Sequence, residues 1–160
     1  MLNAMKQAIS RFCGVRPACT LVSVTPMQQL SARANQCFEN AMALCLAKSR
    51  RYTLRSGWLV GPDLKHLGTV FIPHYWVFNE KTGHHLDPTP RAEGDLMSYQ
   101  YLLDMDLLSH ASAEQALPAP LRLNLLGDFE VFTQGQRWEA MESLETMSTQ
   151  LLFDLARFLG

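Results

Sequence analysis

The chain has 160 residues, of which 48% are hydrophobic and 18% charged, enough apolar material to bury one core and build a single domain over residues 1–160. A formal net charge of -1 with scattered basic residues argues against a nucleic-acid partner or an anionic membrane surface. The cysteines at 13, 19, 37 and 45 form no CxxC pair and no zinc-finger spacing, so neither a disulfide framework nor a structural zinc site is expected.

In chain order, Leu2, Met5, Ile9 and Phe12 make a short helical stripe ended by Gly14. With two basic residues and no long apolar stretch, this amino terminus does not read as a secretory signal. No run approaches the roughly 18 apolar residues of a membrane span. A cytoplasmic location with reduced thiols is expected, with signal-independent export left open. Thr20 to Val24 alternates and is β-branched, which predicts a short strand. Thr25-Pro26 then reads as a helix start, threonine capping and proline in the first position.

From Ala34, the positions Ala34, Cys37, Phe38, Ala41, Met42 and Cys45 repeat at helical spacing and predict a largely buried helix. Its start decides the chemistry of Cys37. A break near residues 32–36 sets Cys37 in the first turn, where unpaired N–H groups favour a thiolate; an unbroken helix from Pro26 sets it mid-helix. Lys48, Arg50 and Arg51 follow the helix and suit its carboxyl end.

Arg51 to Leu59 is rich in β formers and stops at Gly61-Pro62, and Thr69 to Phe78 is a strong strand. Ile72, His74, Trp76 and Phe78 share one face of it, while Phe71, Tyr75 and Val77 share the other. Glu80-Lys81-Thr82-Gly83 is a hairpin turn from which His84 to Asp87 returns antiparallel. A four-residue loop pairs Asn79 with His84 and sets Trp76 opposite Asp87. His74 then shares a face with Asp87, about 7 to 8 Å away along the diagonal. A loop one residue shorter or longer puts His74 on the wrong face.

Cys37, His74 and Asp87 thus supply a nucleophile, a base and an orienting carboxylate. Each type has its own reason. A thiol attacks as thiolate and needs its pKa lowered, an imidazole does this and returns the proton to the leaving group, and a carboxylate fixes the imidazole's tautomer. The pattern H-x-W, a polar turn with glycine, then L-D-P-T resembles the histidine-to-aspartate segment of transglutaminase-like thiol enzymes, within the broad papain-like group. The resemblance covers about residues 35–90 and extends to small leader peptidases that mature lasso peptides. It implies an α+β fold in which a helix carries the nucleophile at its amino end and packs on a mostly antiparallel sheet that carries base and carboxylate. It also favours the break before Cys37. Two departures stand out: Phe38 replaces the tryptophan that follows the cysteine in many relatives, and the step from Cys37 to His74 is short, which favours cleavage or deamidation over cross-linking.

The expected activity is that of a thiol hydrolase or acyltransferase, a peptidase, amidase or glutamine deamidase among them, working through a Cys37 thioester on a protein or peptide substrate, without a cofactor. The N–H of Cys37 is one natural oxyanion donor, and the carboxamide of Gln36 or Asn35, or the indole of Trp58, offers a second. Two other readings compete. His74, His84, His85, Asp87 and Cys37 could supply zinc ligands, though His84 and His85 point to opposite faces. A non-catalytic interaction protein would keep the fold without the chemistry.

Downstream, Asp95 to Ala116 reads as an apolar helix, Leu121 to Leu126 and Phe129 to Thr133 as strands. Trp138, Met141, Leu144, Leu151, Leu152, Leu155, Phe158 and Leu159 form an amphipathic stripe that either covers the core or binds a partner.

Overall fold

A computed structural model of the chain describes residues 2–63, 65, 68–95, 97–110, 118–132 and 137–141. Helix α1 spans Leu2–Val15 and α2 Cys37–Ala47, with a short α3 at Met105–His110. The strands are β1 Thr20–Val22, β2 Val24–Pro26, β3 Tyr52–Asp63, β4 Gly68–Asn79, β5 His84–Asp87, β6 Gln100–Leu103, β7 Leu121–Leu123, β8 Phe129–Phe132 and β9 Trp138–Ala140. All lie in one sheet, in which only β2 and β5 pair in parallel. The protein is therefore α+β with a mostly antiparallel sheet.

The long β3–β4 pair is its axis. Their register runs without interruption from Tyr52 opposite Asn79 to Asp63 opposite Gly68. Alternation along these strands sends Trp58, Val60 and Phe71 to one face, where Ala8 and Phe12 of α1 cover them. Further along, Tyr75 and Val77 pack with Cys37, Ala41 and Leu44 of α2. Residues of the opposite parity, Leu59 and Trp76, pack with Tyr101 in a third cluster. β4 divides its outer edge, pairing with β7 over residues 69–71 and with β5 over residues 77–79.

Several sequence expectations need correction. No helix starts at Thr25-Pro26; Val24–Pro26 pairs with His85–Asp87, and Met27 donates its N–H to the Asp87 carbonyl at 2.8 Å. Main-chain pairing with a distant strand overrides the local cap and proline signals, which are weak priors. The expected helix from Asp95 to Ala116 is instead strand β6 followed by the short α3, with residues 111–117 outside the described ones. An apolar run such as Tyr101-Leu102-Leu103 does not distinguish strand from helix by period, and here it inserts between β1 and β3. β3 continues through Gly61-Pro62 because Pro62 stays paired with Thr69 of β4 while β6 pairs only with residues 57–60, so the proline's other side has no strand among the described residues. α1 likewise passes Gly14 by one residue. In the carboxyl-terminal stripe, Trp138 belongs to β9, and Leu144 to Leu159 lie outside the described residues.

Gly57 has a particular part in this packing. It lies opposite His74 on one side and Leu103 on the other, and a Cβ there would collide with the Leu102 carbonyl oxygen and the Trp76 ring. Only glycine lets β6 approach β3 so closely.

Candidate functional site

The thiol sits at a helix head. Asn35 takes a left-handed conformation, φ 62°, which Asn tolerates better than most residues and which breaks the chain before α2. Gln36 is the N-cap residue but makes no side-chain cap bond; its carbonyl accepts the first helical hydrogen bond, from Asn40, at 2.9 Å. Cys37 is the first helical residue, with Glu39 placing negative charge in the first turn, where the helix dipole favours it.

Asn40 holds this geometry from one turn in. Its carboxamide accepts from the Arg33 N–H at 3.1 Å, donates to the Arg33 carbonyl at 2.7 Å, and donates to Thr89 Oγ1 at 3.2 Å. It therefore ties the loop before the thiol to the turn after Asp87.

The β4–β5 hairpin has the register that the triad pattern requires. Asn79 pairs with His84 and Val77 with Leu86, and Gly83 takes φ 71° at the end of the four-residue turn. His74 Nε2 lies 2.8 Å from Asp87 Oδ2. The Cys37 thiol stands close enough to the His74 ring to raise its pKa through hydrogen bonding and charge. Cys37, His74 and Asp87 are thus brought together, and all are buried, at 8%, 7% and 4% exposure.

Their charges reinforce one another. Burial by itself would lower the His74 pKa, but hydrogen bonds to Asp87 and Cys37 and the negative charges of both outweigh it and hold the imidazole up at about 9. Burial would raise the Asp87 pKa; bonds from His74, Tyr101 and the Thr89 N–H outweigh that and keep it below the usual carboxylate range. Tyr75, behind the thiol, is pushed up to about 12 by burial and then by the Cys37 charge. The arrangement therefore favours a charged imidazole beside the Cys37 thiol, with a carboxylate behind it.

The sequence did not point to Tyr101. Its hydroxyl donates to Asp87 Oδ2 at 2.6 Å and accepts from Arg91 Nη2 at 3.3 Å. It was hidden within a segment that reads as helix. A cleft of about 700 Å³ has Asp87 and Tyr101 in its wall, with Met27, Leu30, Pro88 and Arg91 around it. Gln29 also lines this cleft, and its Oε1 is buried without a hydrogen-bond partner among the described residues.

Trp58 is no oxyanion donor: its indole N–H is committed to Asp104 Oδ2 at 3.0 Å, on the α1 face of the sheet. The Cys37 N–H and the Asn35 and Gln36 carboxamides remain in place beside the thiol by sequence. Of the other histidines, His84 is exposed, while His85 accepts from the Trp76 indole at 3.0 Å and is kept below its ordinary pKa by burial and by the Arg55 charge. Among the described residues, no group of three or more His, Cys, Asp and Glu side chains is arranged to hold a metal ion. No helix among them is long and apolar enough to cross a membrane.

Comparison with known proteins finds no match: no family model fits the chain, no curated protein is similar to it, and no solved structure resembles it significantly.

Proposed function

We propose that the protein is a thiol hydrolase or acyltransferase with a papain-like or transglutaminase-like core, acting on a carboxamide or peptide bond through a Cys37 thioester. The supporting observation is the chain of contacts from Asp87 through His74 to Cys37, with the thiol at a helix amino end. Cys37 Sγ attacks the carbonyl carbon, and the developing oxyanion is met by the Cys37 N–H. The C–N bond breaks as the imidazolium of His74 gives its proton to the departing amine or ammonia. Water, deprotonated by His74, then releases the acid, or an amine takes the acyl group.

The near-complete cover of Cys37 and His74 favours a second reading, an interaction protein that retains the fold without turnover. The pH dependence of Cys37 alkylation by iodoacetamide, followed by peptide mass spectrometry in the wild type and in His74→Ala, separates the two. The enzyme reading expects reaction well below pH 8 that is lost in the mutant, with Cys19 unmodified as an internal control. Slow reaction at every pH, insensitive to the mutation, overturns it in favour of the interaction protein.

A further inference from the structure

We infer that Tyr101 is a positioning residue for the site, held in its donating orientation by Arg91, and that the assembly is a tetrad of Cys37, His74, Asp87 and Tyr101 rather than a triad. The inference rests on the thiol-enzyme reading above and adds a residue to it.

Asp87 has three donors, and they divide its two oxygens unequally. Oδ1 takes the Thr89 N–H at 2.9 Å, within the turn that follows β5. Oδ2 takes both His74 Nε2 at 2.8 Å and the Tyr101 hydroxyl at 2.6 Å. The tyrosine thus binds the same oxygen as the base and fixes where that oxygen lies relative to the ring. A hydroxyl can rotate, so a second contact is needed to aim it. Arg91 provides it: a guanidinium has donors only, so its approach to the hydroxyl oxygen at 3.3 Å occupies an acceptor position and turns the hydrogen towards Asp87. Arg91 is itself steadied, with its guanidinium 4.7 Å from the centroid of the Tyr99 ring.

The surroundings exclude a purely packing role for the hydroxyl. Tyr101 is 7% exposed, and its ring stands edge-on to Trp76 at 5.5 Å and to His74 at 6.0 Å. A phenylalanine would make the same ring contacts. The oxygen therefore adds one thing, a neutral donor to a buried carboxylate. Burial and the Asp87 charge raise the phenol's pKa, so it keeps its proton wherever Asp87 is ionised.

That donor favours the ionised form of Asp87, hence the imidazolium of His74, hence the thiolate of Cys37. Its loss should move the acid side of the Cys37 reactivity profile to higher pH. The test is the iodoacetamide pH profile of Cys37 in wild type, Tyr101→Phe and Arg91→Gln, with thermal unfolding of each in parallel. In Tyr101→Phe the acid midpoint is expected to rise by about one pH unit, which is about a tenfold loss of rate on that limb. Arg91→Gln, at an exposed position, should shift it the same way by about half as much and serves if the buried variant fails to fold. A merely structural tyrosine would lower the melting temperature and leave the midpoint where it was; that result overturns the inference while the wild-type profile still supports the thiol enzyme. A wild-type Cys37 that reacts slowly at every pH removes the thiol enzyme and this inference together.

Discussion

Two buried carboxylates in this molecule have nearly the same dress and different work. Asp87 receives an imidazole, a phenol and the N–H of the residue two positions on. Asp104 receives the Arg16 guanidinium, the Trp58 indole and, again, the N–H two positions on. Each therefore has a cation, an aromatic donor and a turn, and each has a cysteine nearby. The difference lies in the cation and in the thiol. The pair of Arg16 with Asp104 fastens α1 to the start of α3 and, through Ser56, to β3, and a guanidinium is a permanent cation. Cys19 beside that pair has its pKa raised, by burial first and by the Asp104 charge next. His74 can gain and lose a proton, and its neighbour Cys37 stands at a helix amino end. On the proposed function, a buried carboxylate is a fastener or part of a reactive site according to what its donors can release.

The contrast can be broken from either side. Asp104→Ala removes the carboxylate bound by Arg16, the Trp58 indole and the Asp106 N–H, and should cost about 3–5 kcal/mol in urea unfolding. Cys37 alkylation at pH 6 should persist in the folded fraction of that variant. A loss under about 1 kcal/mol would mean that the Arg16 pair is not a fastener. Asp87→Ala should do the reverse, slowing Cys37 alkylation at pH 6 by about 10²-fold by withdrawing the charge that supports the imidazolium. An unchanged rate would detach Asp87 from the thiol.

A smaller effect sharpens the comparison through pH. His74 is held at about 9 in the folded chain, above the roughly 6.5 of an unfolded histidine. The stability this contributes is complete below about pH 6.5 and is lost as pH rises through 9, on the order of 3 kcal/mol across that window. The urea midpoint should fall accordingly between pH 6.5 and 9, and His74→Ala should flatten that slope. Asp104→Ala, in which the guanidinium stays charged throughout, should keep it. A flat wild-type profile would show that folding changes no net proton uptake by the His74–Cys37 pair across that window.

Much of the Asp87 region could be read from sequence, and little of the Asp104 region could. The hairpin is local: a four-residue turn ending in Gly83 fixes the register, and counting from Asn79 and His84 puts His74 and Asp87 on one face. The stripe from Cys37 to Cys45 is equally local, although the thiol's place at the helix head needed the analogy with known thiol enzymes. What escaped depends on pairing across distance. β2 joins β5 in parallel, β6 slots between β1 and β3, and Asn40 reaches Thr89; none of these partners is close in the chain. Tyr101 and the Asp104 cluster both depend on where β6 lies, so misreading that strand as helix concealed them together. Trp58 was misassigned for the same reason, since its partner Asp104 follows β6 directly.

Gly57 carries a consequence for how this sequence can drift over evolutionary time. The residue touches no substrate and bears no side chain, yet it sets how near β6, and with it Tyr101, comes to the strand that holds His74. Any other amino acid would lever that neighbour outward and loosen Asp87's partner. Selection acting on the thiol would then be felt at a position with no chemistry of its own. Among divergent descendants of this chain, a glycine aligned with position 57 should accompany the reactive cysteine and vanish where the cysteine has been replaced.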